Sequence, residues 1–183
     1  MTNYRRAKFK GGLYFFTVIT YKRRKFLTGN LARRCLRQSF QVIRQKRHFD
    51  IVAICLLPDH LHCIWKLPDG DCDFSYRWSA IKSQFTRKFL GAKGSEISQS
   101  ISREKKRERG IWQRRFWEHQ IRDEKDWQKR VDYIHYNPVK HKLVKELEDW
   151  PWSTYHKYVH DGVYLQKDWE DLQKDFDGML AGE

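Results

Sequence analysis

Pro58-Asp59-His60-Leu61-His62-Cys63-Ile64-Trp65 sets two histidines either side of one apolar residue, in a run that reads as a β-strand. Side chains alternate faces along a strand, so His60 and His62 point the same way and Leu61 points to the other side. Two imidazoles on one sheet face suit a divalent metal. A second stretch, Val131-Asp132-Tyr133-Ile134-His135-Tyr136-Asn137-Pro138-Val139-Lys140, sets a tyrosine and an asparagine four residues apart. On a helix those two side chains share a face. Taken alone, a His-x-His pair also fits histidines that hold no metal, and a helical tyrosine also fits packing. The types and spacings leave both readings open.

The elements that must position these residues follow from periodicity. Leu13–Thr20 is aromatic and β-branched, follows Gly11-Gly12, and reads as a strand. Asn30 is placed to cap a helix running to about His48, with Leu31, Cys35, Leu36, Phe40 and Ile43 as its apolar stripe. Ile51–Leu57 and His60–Leu67 read as a hairpin turned by Pro58-Asp59, and Pro68-Asp69-Gly70 closes it. Phe74, Trp78, Ile81, Phe85 and Phe89 give a helix from Asp73 to about Leu90. The segment 91–110 is rich in Ser, Lys, Arg and Glu, lacks aromatics, and reads as a mobile basic insertion with a short helix around Arg103–Arg109. Arg115–Arg122 is the fourth strand, and Asp123 caps a helix through Trp127, Val131 and Ile134. Pro138 biases Asn137 away from helical geometry, so that helix is expected to end there. From about 150 to 183 the chain reads as an aromatic, turn-rich tail.

This order predicts an α+β fold of the ferredoxin-like split βαβ type in a single domain spanning 1–183. It implies a four-stranded antiparallel sheet with helices on one face, plus an additional C-terminal helix and tail.

Charge narrows the partners. Lys and Arg number 37 against 23 Asp and Glu, a net +14, which points to a polyanion and by default to nucleic acid. Eight Trp, nine Tyr and eleven Phe exceed what a core this small needs, and aromatics are platforms for unpaired bases. The cysteines at 35, 55, 63 and 72 form no C-x-x-C pair, so neither a disulfide framework nor a zinc knuckle is expected. No apolar run approaches the roughly 20 residues of a membrane span, and the N-terminus has no apolar signal region. The expected location is a reducing cytoplasm, associated with the nucleoid and with no membrane partner.

Three motifs in order, "LPDHLHCIW", "RFWEHQIR" and "VDYIHYNPVKH", resemble the REP-associated tyrosine transposases. These belong to the single-tyrosine HUH transposases, named for His-hydrophobic-His. The resemblance runs from about Asn3 to the Trp150-Pro-Trp-Ser-Thr154 region. It implies the same fold, with the last helix carrying the catalytic residue. It also implies a metal-dependent single-stranded DNA endonuclease and strand transferase that acts on REP-type hairpin DNA through a covalent 5′-phosphotyrosine.

On that resemblance Tyr133, not Tyr136, is the nucleophile. His60 and His62 are metal ligands for Mg²⁺ or Mn²⁺, and the Asn137 side-chain oxygen could supply a third. His119 alternates with Trp117 on its strand and matches the family pattern, as a sheet-face hydrogen bond or as active-site support. His135 lies about 200° round the helix from Tyr133 and is expected to face away. Lys140 could bind a phosphate. Basic clusters beside aromatics, Tyr4-Arg5-Arg6, Arg23-Arg24-Lys25 and Arg114-Arg115, are expected to form a DNA track. The partner is single-stranded or hairpin DNA, and the protein a monomer or homodimer. Two other readings stand beside this one: a domesticated DNA-hairpin binder without catalysis, and a metal-dependent nucleotide or RNA hydrolase in which Tyr133 is only structural.

Overall fold

In the computed structural model the described residues are 11–164. The N-terminal cluster at Tyr4-Arg5-Arg6 and the tail beyond 164 lie outside them. Four strands, β1 (Gly12–Ile19), β2 (Asp50–Leu56), β3 (His60–Leu67) and β4 (Trp117–Gln120), form one antiparallel sheet in the order β2-β3-β1-β4. Helices α1 (Asn30–Lys46) and α2 (Phe74–Gly91) pack on one face, and α4 (Glu124–Lys140) crosses the other. A short helix α3 (Ile101–Lys105) precedes β4, and α5 (Tyr155–His160) follows α4. The expected ferredoxin-like sheet is present. Because both faces are covered, β1 is a nearly continuous apolar run: Tyr14, Phe16 and Val18 face α1 and α2, while Phe15 faces α4.

Local rules set the ends of the elements, and three expectations change. Asn30 is the first residue of α1 and Gly29 is its N-cap, whereas Asp73 and Asp123 do cap α2 and α4, accepting from the N–H of Tyr76 and Asp126. The fourth strand is shorter than Arg115–Arg122. Thr20 pairs with Trp112 and Thr17 with Trp117, so two more residues lie between the pairs on the β4 side than on β1. The surplus loops out around Arg114 and Arg115. Helix α4 does not stop at Pro138 but runs to Lys140. Its real terminator is Lys142, at φ +55°. The Leu143 N–H bonds the Pro138 carbonyl and the Lys142 N–H bonds that of Val139, a Schellman closure. Proline removes a single intrahelical bond so near the end, and the closure holds the turn around it.

Residues 91–110, read from sequence as a mobile insertion, carry α3 and several directed contacts. Arg109 and Glu96 form an ion pair, and Arg24 bonds both the carbonyl and the hydroxyl of Ser95. Arg103 is buried, donates to the carbonyls of Arg109 and Trp112, and lies over the Tyr21 ring at 4.2 Å. Gly110 abuts the Ile97 carbonyl so closely that no side chain fits there. Past Trp150 the chain covers the β2 edge: the Leu56 N–H bonds Trp152 and the Thr154 N–H bonds Ile54. That pairing shields an edge strand otherwise open to intermolecular pairing.

Candidate active site

Strand β3 divides its side chains by parity. Leu61, Cys63 and Trp65 enter the α1–α2 core, while His60 and His62 turn to the α4 face. There they meet α4, which sends Tyr133 and Asn137 inward one turn apart. All four side chains are buried and come from one chain. The two imidazole centroids are 4.8 Å apart, and Tyr133 meets His62 edge-on at 5.3 Å. Phe15 floors the site, 5.6 Å from His62 and 6.0 Å from Tyr133. The His141 ring closes it, 5.2 Å from His60.

Each histidine is oriented by a neighbour that the motif alone did not single out. The Nδ1 of His60 lies 2.7 Å from Asp59 Oδ1, and the Nδ1 of His62 lies 2.9 Å from the Thr17 hydroxyl. When Nδ1 carries the proton and donates to these oxygens, each Nε2 keeps its lone pair for a ligand. Burial alone would raise the Asp59 carboxyl, but hydrogen bonds and charge from His60, then Arg23, outweigh it and hold it down at about 2. Asp59 is thus a carboxylate, as the donating His60 requires. His60 Nε2 and Asn137 Oδ1 are buried with no hydrogen-bond partner among the described residues, and buried polar atoms in that state call for an explanation. Among those residues no group of three or more His, Cys, Asp or Glu side chains is gathered closely enough to hold a metal. The donor set on this face is therefore two imidazoles and an amide oxygen, which suits a divalent ion that keeps open positions.

Around the tyrosine the structure places further polar groups. Lys140 Nζ donates to the Tyr133 hydroxyl at 3.1 Å and lies 4.7 Å above its ring. His119 bonds Asp126 on the first turn of α4 at 2.7 Å and stacks on Trp117. Asp126 in turn pairs with Arg130, whose guanidinium covers Phe15 and Trp117. His119 therefore reaches the site indirectly, through the Asp126–Arg130 link to the Phe15 floor. Burial works to raise the Asp126 carboxyl, but the His119 hydrogen bond and its other partners leave it below the usual range. His135 points away, as its angle on the helix requires, bonding Tyr164 at 2.7 Å and Thr154 at 2.9 Å.

The basic clusters are dispersed. Arg23 pairs with Asp59 at 3.2 Å, which ties it to His60, and Arg24 is engaged with Ser95. Lys25 and Arg115 are exposed, and Arg114 pairs with Glu108 at 2.8 Å. Arg114 and Arg115 line two neighbouring cavities, of about 730 and 340 Å³.

Residues 8–137 match the family described as IS200-like transposases. A REP-associated tyrosine transposase of Escherichia coli K12 is 45% identical over 184 residues, covering 100% of this chain and 98% of that protein. A Haemophilus influenzae relative bearing the same family name is also 45% identical, over 92% of this chain and 93% of its own. A solved REP-associated tyrosine transposase bound to a REP hairpin superposes with a TM-score of 0.76 at 43% identity, covering 92% of this chain and 93% of that one. The fold and site define a transposase of the IS200-like class. Within it, this chain belongs to the REP-associated tyrosine transposases.

Proposed function

We propose that this protein is a divalent-metal-dependent endonuclease and strand transferase that cuts single-stranded DNA beside a REP-type hairpin, through a covalent link on Tyr133. The observation that carries this reading is convergence. Two oriented imidazoles and the Tyr133 ring meet in one buried cluster, and one turn along α4 Asn137 buries an amide oxygen with no hydrogen-bond partner among the described residues. His60, His62 and Asn137 would hold Mg²⁺ or Mn²⁺, which when bound polarises a scissile phosphate. The family's solved relative is bound to a REP hairpin, which supports that substrate class for this chain.

The chain's own residues then divide the work. Tyr133 Oη attacks the phosphorus, forms the tyrosyl–phosphate bond and gives up its proton. The P–O3′ bond breaks, and the departing oxygen takes a proton to become a free 3′-OH. Attack by another 3′-OH on the tyrosyl phosphate reverses these steps and rejoins DNA without an external energy source. Lys140 faces the oxygen on which negative charge develops, and it is placed to trade that oxygen for a phosphate oxygen as the bond forms. Asp59 and Thr17 keep both imidazoles in the ligating tautomer.

The test is covalent capture. Wild-type protein with hairpin DNA and Mn²⁺ should become linked to a 5′ end, and EDTA should prevent it. Tyr133→Phe should lose the adduct entirely while binding the hairpin within about twofold of wild type, because binding rests on surface away from that one atom. An adduct that survives Tyr133→Phe would contradict the assignment. Hairpin binding with no adduct in the wild type would favour a non-catalytic binder.

A further inference from the structure

Arg130 stands three residues before Tyr133 and seven before Asn137, so all three share the sheet-facing side of α4. Its guanidinium lies over two rings, 5.4 Å from the centre of Phe15 and 5.5 Å from that of Trp117. Phe15 is the floor beneath Tyr133 and His62. The Arg130 side chain is only 15% exposed, and taking a cation out of water is costly unless partners offset it. Its acidic partner among the described residues is Asp126, which meets Nε at 3.4 Å and is shared with His119 and Arg122. Neither Nη nitrogen makes a hydrogen bond to a described residue, and both keep contact with solvent.

Two rings and one carboxylate thus fix the guanidinium and leave its outer N–H groups to donate. A planar fork held in this way matches two oxygens of a phosphate. Burial pulls its pKa below the usual arginine value, while Asp126 and Tyr133 act to raise it, so the cation lies within electrostatic reach of the nucleophile. Lys140 already meets the Tyr133 hydroxyl, where the scissile phosphate must come. Arg130 leans the other way, toward Asp126 one turn earlier on α4. The phosphate within its reach is therefore a neighbour of the scissile one.

We propose that Arg130 is a further catalytic residue, which grips the phosphate next to the scissile one and so holds the strand in line for attack by Tyr133. This rests on the cleavage reading above and adds a residue that touches the substrate during it. The hairpin anchors the DNA through other contacts. The grip of Arg130 therefore shows in the rate at saturating DNA, where alignment of the reacting atoms counts, and not in affinity.

The test is a double-mutant cycle between protein and DNA. Arg130→Met keeps an apolar stem over Phe15 and Trp117 and removes the fork, while Asp126 keeps His119 and Arg122. The DNA carries one neutral methylphosphonate linkage, immediately 5′ or immediately 3′ of the scissile phosphate. On unmodified hairpin DNA at saturation with Mn²⁺, Arg130→Met should form the adduct about 10–100-fold more slowly, the range for a lost charge-assisted hydrogen bond. Its hairpin affinity should stay within about twofold of wild type. One of the two neutral linkages should slow the wild type by a similar factor yet slow Arg130→Met by less than about twofold, because the contact is already gone. Arg130→Lys keeps the charge without the fork, should recover only part of the rate, and carries the same cycle if the Met variant fails to fold. Losses that multiply at both linkages overturn the assignment, since a residue that merely packs the floor slows every DNA alike. A wild type that forms no adduct on unmodified DNA instead sinks the cleavage reading and the grip with it, so the two failures are distinguishable.

Discussion

The two faces of the sheet are built from the same strands and hold opposite chemistry. Toward α1 and α2, β3 sends Leu61, Cys63 and Trp65 into an aromatic core where Trp65 stacks on Trp78 at 4.3 Å and Phe49 lies 4.1 Å away. Toward α4 the same strand sends His60 and His62, as thoroughly buried as that core but bonded through Nδ1 to oxygen. Burial therefore does not separate structure from function in this molecule. What separates them is the kind of polar atom left over: in the α1–α2 core these include the indole N–H donors of Trp78 and Trp112, which have no lone pair to give a metal. On the α4 face they include two atoms that can act as metal ligands, His60 Nε2 and Asn137 Oδ1, with no hydrogen-bond partner among the described residues.

The comparison can be broken by exchanging the expected costs of its two faces. Trp65→Ala opens a cavity in the dry core and should cost about 3–5 kcal/mol of unfolding free energy, the range for aromatic truncation. His62→Ala, equally buried, should cost no more than about 2 kcal/mol in metal-free buffer yet lose both cleavage and the Mn²⁺-induced rise in melting temperature. Thermal melts with and without Mn²⁺ check both. A His62→Ala protein as damaged as Trp65→Ala, or one whose melting temperature still rises with Mn²⁺, would erase the distinction. A smaller effect sharpens it. Asp59→Asn keeps the shape of the turn but weakens the hold on His60, and should reduce Mn²⁺ affinity about 10–100-fold with little change in metal-free stability. Calorimetric titration with Mn²⁺ measures this, and unchanged affinity would remove Asp59 from the site.

The parts of the site visible in sequence are those set by a short period. His60 and His62 share a face because strands repeat every two residues, and Tyr133 and Asn137 because helices bring residues four apart together. Thr17 was invisible because its partner is set by the pairing of β1 with β3, which places it opposite His62, 45 residues away. Asp59 was in view but read only as turn chemistry. Pro138 misled about the helix end because a local bias was weighed without the Schellman closure at Lys142. The cavity of about 730 Å³ that Arg114 lines escaped because its cations are scattered from Lys82 to Arg114 and meet only after 91–110 folds back on α2. Charge clustering in sequence therefore singled out Arg114 and Arg115 but not Arg87 or Arg107.

The central claim is that the α4 face makes and breaks a bond to DNA at one atom. Its most direct measurement is to digest the captured protein–DNA complex with nuclease and protease and to locate the residual nucleotide by mass spectrometry. The peptide spanning Val131–Lys140 holds both Tyr133 and Tyr136, so the fragment series separates them. The account predicts the nucleotide on Tyr133, with capture lost in His60→Ala and in His62→Ala. A nucleotide on Tyr136, or undiminished capture in those histidine variants, would contradict it.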